Sequence, residues 1–166
     1  QPGPIRTYPG ESIAAHALGT LGEIARDELN ALKDSGYKLG DWMGKSGIER
    51  QYDAALRGTD GLEQFEADPL GQPLRSLAEK PFIAGQELAL TLDADLCRWA
   101  IEAMGKQEGA VVALEPSTGK VRCLISTPAF DPTIFVNRGR STERNTILTD
   151  RTLPLLSRAW NAKYPP

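Results

Sequence analysis

The sequence predicts an α+β fold in which short helices and antiparallel hairpins alternate along a chain of 166 residues. Two observations support this prediction. Several segments repeat apolar residues at helical spacing, and two extended segments are each interrupted by a turn sequence. The length allows one ordinary domain or two small ones. Hydrophobic residues make up 40% of the chain, and the 16 glycines bring the apolar share to about half, which is typical of globular proteins with a packed core.

The first part of the chain predicts three helices. Ser12 is positioned to cap the first, whose apolar residues fall on one face up to residue 18. Residues 27–33 predict a second helix, with acidic side chains at its start and a lysine in its last turn. The third begins at a capping-box sequence, in which Ser46 and Glu49 would each bond to the other's backbone N–H.

The next segment predicts extended structure. Residues 62–66 alternate between apolar and polar side chains, and residues 68–72 have the composition of a turn. A returning strand through Leu74 and Leu77 would complete a hairpin. Residues 87–92 are also predicted to form a strand.

Asp93 is predicted to cap a helix that continues to Met104, with its apolar residues on one face. Residues 109–127 then predict a hairpin around a turn at 116–119. Its almost continuous apolar run indicates a central strand covered on both faces. Residues 126–166 are predicted to be mostly irregular because prolines recur through them.

Composition excludes some classes of function. The formal net charge is −3, whereas nucleic-acid-binding chains usually carry a strong basic excess. The first 92 residues are net acidic and the rest net basic, which weakly favours a boundary near residue 90. No stretch approaches 18 uncharged apolar residues, so no membrane-spanning helix is predicted.

The cysteines and the single histidine do not predict a metal site. Cys97 and Cys123 lack CxxC spacing, and His16 alone cannot complete a zinc cluster. Free, partly buried thiols are expected, and a disulfide would require an oxidising compartment and close approach of the two residues. His16 is expected to be a packed or capping residue rather than a general base.

One sequence match suggests catalysis. Ser117 and Lys120 fit S-x-x-K, the nucleophile motif of penicillin-recognising serine enzymes. That chemistry needs a helical turn, so that the lysine lies beside the serine hydroxyl. Pro116 and Gly119 predict a turn between strands instead, and a catalytic role for this pair is therefore not expected. We predict no catalytic, cofactor-binding or metal-binding residue and no cofactor.

The basic residues near the end of the chain allow two interpretations. They would either line a solvated loop or form a patch for phosphate or nucleic acid, although no aromatic residues are interleaved for base stacking. The residues are Arg138, Arg140, Arg144, Arg151 and Arg158.

Five blocks, read together, resemble the class B penicillin-binding proteins, and in particular their elongation-type members. Residues 8–19 resemble "YP-G…AH-LGY-G", and residues 45–58 resemble "G-x-GIE-x-YY…LRG". Residues 90–96 resemble "LTLD-x-x-LQ", and residues 109–132 resemble "GAVV-x-DP-x-TG…S-x-P-x-FDPN". Residues 155–166 resemble "PL-NRA…YPPGS-x-K" up to its second proline. The blocks occur in the family's order, with departures at Thr20, Cys97 and Glu115, where tyrosine, glutamine and aspartate are usual.

The resemblance implies a two-part organisation. Residues 1–88 would form a pedestal domain of the penicillin-binding protein dimerisation type, with short helices and a hairpin. Residues 89–166 would form the incomplete N-terminal part of a transpeptidase domain, whose antiparallel sheet has helices on both faces. Without the rest of that sheet, the hairpin at 110–125 is expected to expose an apolar face.

The resemblance also implies a function. The parent protein would be a serine D,D-transpeptidase that cross-links peptidoglycan stem peptides through an acyl-serine and binds β-lactams. The catalytic serine would follow Pro166, so the 166 residues alone are expected to be inactive and to position the catalytic domain. A RodA-type glycan polymerase and an MreC-type scaffold would be its partners, on the periplasmic side of the bacterial inner membrane, with the anchor outside this chain and no role for nucleic acid.

Two alternatives stay open at this point. The chain could be a free-standing, non-catalytic interaction module derived from the pedestal. It could also be an enzyme that uses Ser117 and Lys120, if Ser117 begins a helix.

Overall fold

A computed structural model describes residues 6–8, 12–32, 35–70 and 72–163 of the chain. It combines helices with short antiparallel sheets, which confirms the predicted α+β class. The helices are α1 (Ala15–Leu18), α2 (Arg26–Ala31), α3 (Gly47–Gln51), α4 (Asp53–Arg57), α5 (Ala94–Met104), α6 (Thr133–Val136) and α7 (Ser141–Thr149), with a 3-10 turn at Arg138–Arg140. The strands are β1 (Leu21–Glu23), β2 (Trp42–Gly44), β3 (Leu62–Ala67), β4 (Pro73–Lys80), β5 (Gly109–Leu114) and β6 (Val121–Thr127).

The chain divides into two compact units. The first unit comprises Gln1–Gln51 together with Leu90–Pro166, and the second comprises Tyr52–Ala89. The first unit is therefore assembled from both ends of the sequence. In the part of the chain that the structure describes, no helix is long and apolar enough to cross a bilayer.

In the first unit, α1 and α3 meet through their backbones. A Cβ atom on Gly19 would lie 2.0 Å from the carbonyl oxygen of Ser46, and one on Gly47 would lie 2.6 Å from that of Ala17. Both glycines have positive φ angles, 90° and 57°. Since only glycine tolerates this conformation and this separation, the two residues permit the close contact. The short antiparallel pair β1–β2 lies beside it, with Leu21 opposite Gly44.

The core of the first unit lies between α5 and the β5–β6 hairpin. The helix begins as predicted, because the Asp93 carboxylate accepts hydrogen bonds from the backbone N–H groups of Asp95 and Leu96, each at 3.0 Å. The buried centre consists of Cys97, Cys123 and Ile125. Partly buried side chains surround it: Ile13, Leu96, Ala100, Ile101, Met104, Val111 and Ala113.

The second unit contains the other predicted hairpin. β3 and β4 pair antiparallel, with Leu62 opposite Lys80 and irregular register at two points. Thr59 and Ile83 form an isolated bridge close to the base of the hairpin. The unit exposes many large apolar side chains: Leu62, Phe65, Leu70, Leu74, Leu77, Phe82 and Ile83.

Two helices predicted in the first half of the sequence begin or end at other residues than expected. The first helix does not begin at Ser12, because Ala14 adopts a left-handed conformation with φ 54°, and α1 starts only at Ala15. The second helix ends at Ala31, and the lysine assigned to its last turn lies outside the described residues. The strands β1 and β2 were not predicted, because three residues are too few to show an alternating pattern.

The strand predicted at residues 87–92 is absent from this described segment. Near its end, the Thr91 hydroxyl donates to the carbonyl of Val121, and the Asp93 N–H donates to the carbonyl of Arg122, both at 2.8 Å. The chain thus runs beside β6 without forming a regular ladder.

Two predictions in the second half are also wrong. The segment after residue 126 contains α6, the 3-10 turn and α7, although α7 buries no residue and so offers no apolar face to detect. The hairpin is not covered on both faces, because Val112 is 50% exposed and Leu114 is 59% exposed. The expectation of an exposed apolar face on this hairpin is confirmed.

Candidate functional site

The Ser117–Lys120 pair lies in a turn and not in a helix. Both residues lie in the exposed turn between β5 and β6, where the N–H of Gly119 donates to the carbonyl of Glu115 at 2.8 Å. The Thr118 hydroxyl also bonds the Glu115 carboxylate, and this bond, followed by that from Arg122, lowers the carboxyl pKa. The turn predicted from Pro116 and Gly119 is confirmed, and it replaces the helix on which the enzyme hypothesis for Ser117 depends.

His16 instead ties α1 to the segment near the end of the chain. Its ring is buried, and Nε2 lies 2.7 Å from the carbonyl oxygen of Pro154, so Nε2 carries a proton and donates it. The ring packs edge-on against Phe130, with centroids 5.1 Å apart. Burial lowers the His16 pKa, the bond to Pro154 opposes this, and the positive charge of Arg158 reinforces it. The prediction of a packed histidine is confirmed.

Arg158 belongs to the same segment and binds two of its backbone carbonyls. Its side chain is only 5% exposed. One guanidinium nitrogen, Nη2, donates to the carbonyl of Thr152 at 2.6 Å and to the Glu108 carboxylate at 2.8 Å. A longer contact of 3.4 Å joins Nη1 to the carbonyl of Leu153, whose φ of 48° places it in the left-handed region.

Ser126 adds two further ties. Its hydroxyl accepts a hydrogen bond from the backbone N–H of Arg158 at 2.9 Å and donates to the carbonyl of Leu156 at 3.4 Å.

Asp150 forms a turn at the start of the segment, because its carboxylate accepts hydrogen bonds from the N–H and the hydroxyl of Thr152, each at 2.8 Å, and these bonds lower its pKa. We refer to His16, Glu108, Ser126 and Arg158 as the segment clamp.

The segment clamp fixes backbone rather than presenting reactive groups. Between residues 152 and 158 it binds four carbonyl oxygens and one N–H through side chains from α1, β6 and the segment itself. Glu108, just before β5, contributes by accepting a hydrogen bond from the Arg158 guanidinium. Ser157 is buried nearby, and its hydroxyl has no hydrogen-bond partner among the described residues. The arrangement can position the chain that leads to residue 163. The sequence could not reveal it, because its members are far apart along the chain.

Three of the five arginines near the end of the chain are paired with acids. Arg138 bonds Glu23 at 2.5 Å, and Arg158 bonds Glu108. Arg140 lies between Asp131, at 2.5 Å, and Glu143. The guanidinium groups of these three arginines are therefore engaged in ion pairs within the chain.

Asp131 anchors the turn into α6. Its carboxylate accepts from the N–H of Thr133 at 2.8 Å, from the Thr133 hydroxyl at 2.6 Å and from Arg140. Burial would raise the Asp131 pKa, but these hydrogen bonds outweigh it and the pKa is lowered. The carboxylate therefore stays charged and keeps Arg140 in place.

The helix start predicted at Ser46 is confirmed, because α3 begins at Gly47, but the Ser46 and Glu49 side chains make other contacts than those of the predicted capping box. Glu49 is buried and accepts from the Tyr8 hydroxyl at 3.1 Å, and its carboxylate lies 3.1 Å from Nε of Arg6. The Ser46 hydroxyl accepts from the N–H of Thr20 at 3.0 Å. Burial, then the charge of Glu49, raises the Tyr8 pKa. Both box residues thus serve tertiary contacts, which override the local pattern.

No group of three or more His, Cys, Asp or Glu residues in the described ranges could hold a metal ion.

The comparisons with known proteins agree with this architecture. Residues 1–90 match the family model of the penicillin-binding protein dimerisation domain. This match spans more than half of the chain, and the chain belongs to the penicillin-binding proteins.

Within that family, the similarity is to the elongation-type proteins called penicillin-binding protein 2, as predicted. The chain is 36% identical over 166 residues to peptidoglycan D,D-transpeptidase MrdA of Escherichia coli K12, covering 97% of the chain and 26% of that relative. The chain thus spans about a quarter of the length of the curated relatives it matches.

Solved structures show the same likeness. A complex of penicillin-binding protein 2 with MreC from Helicobacter pylori superposes with a TM-score of 0.76 at 28% identity, covering 96% of this chain and 30% of that one. A structure described as "Structural coordination of polymerization and crosslinking by a peptidoglycan synthase complex" has a TM-score of 0.76 at 29% identity, covering 92% and 29%.

Proposed function

We propose that this chain is part of a peptidoglycan D,D-transpeptidase, in which it positions the catalytic domain. The observation that carries the proposal is 36% identity to a transpeptidase over 97% of the chain. The parent enzyme would cross-link cell-wall stem peptides through an acyl-serine intermediate, and β-lactams would acylate the same serine. Residues 1–88 would belong to the pedestal and residues 89–166 to the transpeptidase domain.

The segment clamp supplies a physical role for these residues. In the family the catalytic S-x-x-K follows the sequence that resembles residues 155–166. Fixing the backbone at 152–158 would fix the direction in which the chain enters the catalytic helix. Because misplacement of a nucleophile by about 1 Å can cost roughly 100-fold in rate, rigid support of this kind is valuable to catalysis. None of the residues of the clamp would touch the substrate.

The same relatives support the proposed partners and location. The H. pylori relative was solved with MreC, and the synthase-complex structure concerns polymerisation together with cross-linking. We therefore assign an MreC-type scaffold and a RodA-type glycan polymerase as partners of the parent protein. It would act on the periplasmic side of the inner membrane, where peptidoglycan is built.

A free-standing interaction module is the second candidate. The folded pedestal-type segment favours it, but the exposed Val112 and Leu114 oppose it, since an uncovered apolar strand face invites aggregation. In the transpeptidase proposal, further chain would cover this face.

Penicillin labelling followed by intact-mass measurement tests the proposal. The 166-residue chain of 18.0 kDa should stay unmodified, whereas the longer chain that continues beyond Pro166 should gain the mass of one penicillin. Absence of an adduct on the longer chain would favour the interaction module. An adduct on the 18.0 kDa chain that disappears in Ser117→Ala would overturn the proposal.

A further inference from the structure

The two cysteines lie together in the core of the first unit. Cys97 on α5 and Cys123 on β6 are 0% and 1% exposed and belong to one buried cluster. The Cys97 sulfur lies 3.9 Å from the carbonyl oxygen of Arg122, the residue directly before Cys123. The Cys123 sulfur in turn lies 4.0 Å from the carbonyl oxygen of Val111 on β5. Both thiols therefore occupy the contact between α5 and the hairpin.

The two thiols also affect one another. Burial, followed by interaction with the Cys97 thiol, raises the pKa of Cys123 to about 11. A thiol with such a pKa is almost entirely protonated at neutral pH and is a poor nucleophile while it stays buried. In the folded chain both sulfurs are buried, so neither is accessible to a reagent, although the two residues are neighbours.

We propose that Cys97 and Cys123 form an intrachain disulfide that joins α5 to β6 when a disulfide donor reaches them. The thiolate of one cysteine attacks the donor disulfide, forming a mixed disulfide and releasing one donor thiol. The second cysteine thiolate then attacks the mixed disulfide and releases the second donor thiol. The chain loses two electrons and two protons, and the donor gains both as two thiols.

The burial of both sulfurs determines when a disulfide donor can react with them. Since neither sulfur is exposed, a donor reaches the pair only before α5 has packed on the hairpin or when the helix separates from it. The bond would then close a loop of about 25 residues and restrict the unfolded chain. In the cell, the bond requires the oxidising periplasmic location of the proposed function, whereas its formation in vitro does not depend on that function.

The test uses the 166-residue chain with oxidised glutathione in mild denaturant, so that the core opens reversibly. After dilution and unfolding in guanidinium with N-ethylmaleimide, intact mass counts the free thiols. The expected product takes up no maleimide, is 2 Da lighter than the dithiol and yields one non-reduced tryptic pair, 76–98 linked to 123–138. The oxidised chain should melt roughly 10 °C higher than the dithiol chain.

Matched single variants provide the control. Cys97→Ala and Cys123→Ala should each end with one glutathione and show no rise in melting temperature on oxidation. Three results for the unsubstituted chain would overturn the proposal: two free thiols after opening in excess oxidised glutathione, two bound glutathiones, or disulfide-linked dimers. Each would mean that the thiols cannot join within one chain, and none bears on the transpeptidase assignment.

Discussion

Replacing Gly19 by alanine tests the contact on which the packing of α1 depends. Gly19 has φ 90° and ψ −164°, a region almost restricted to glycine, and this strain alone costs about 1–3 kcal/mol for alanine. The new Cβ would also lie 2.0 Å from the Ser46 carbonyl oxygen, which is backbone and cannot rotate away. Forcing α1 and α3 apart should bring the total to about 4–5 kcal/mol, the upper end for single substitutions.

Gly40→Ala is the matched control. Gly40 has almost the same φ, 91°, but nothing lies within 4 Å of an added Cβ, so this variant carries the strain without the collision. Urea unfolding followed by tryptophan fluorescence suits the comparison, because Trp42, Trp99 and Trp160 all lie in the first unit. Gly19→Ala should lower the free energy of unfolding by at least about 2 kcal/mol more than Gly40→Ala. Equal losses would refute the argument that close backbone contact fixes α1.

Three further predictions concern the cap, the segment clamp and the pH dependence. Asp93→Ala should cost about 1 kcal/mol of unfolding free energy by removing the α5 cap, and Asp93→Asn should restore most of it; equal loss in both would contradict a capping role. Arg158→Met should cost about 1–3 kcal/mol, because it removes the charge-assisted hydrogen bonds of a side chain that is only 5% exposed, and hydrogen exchange should accelerate at 152–158 but not in the second unit. His16 has a lowered pKa in the folded chain, so protonation favours unfolding: its contribution is complete above about pH 6.5 and is lost as the pH falls below it. His16→Phe should flatten the melting temperature between pH 7 and pH 5, and an unchanged slope would contradict this assignment.

The elements that local chemistry determines were predictable. The Asp93 cap, the helix to Met104 and the hairpin at 109–127 each follow from periodicity and turn residues that act within a few positions. The packing of this helix and this hairpin favours the same conformations as their local sequence, so the sequence pattern predicts the observed elements.

Elements determined by distant partners were not predictable. Glu49 follows a serine at capping-box spacing, but it binds Tyr8 and Arg6, because a buried carboxylate needs a cation and donors more than a helix start needs a cap. α7 has no apolar face that the periodicity could have shown. At Glu49 tertiary contacts override the local signal, whereas at α7 there is no apolar periodicity to detect.

The segment clamp shows why the compact unit cannot be read from composition. The acidic first half and basic second half suggest a division near residue 90, close to the end of the family match at 1–90. The packing of the first unit instead joins the two ends of the chain: His16 bonds Pro154, and Glu23 bonds Arg138. If either end of the chain were missing, the buried His16 would lose its hydrogen-bond acceptor and Glu23 would lose its cation. The family match at 1–90 and the compact first unit therefore divide this chain differently. We expect the first unit, and not the segment matched by similarity, to unfold as one body.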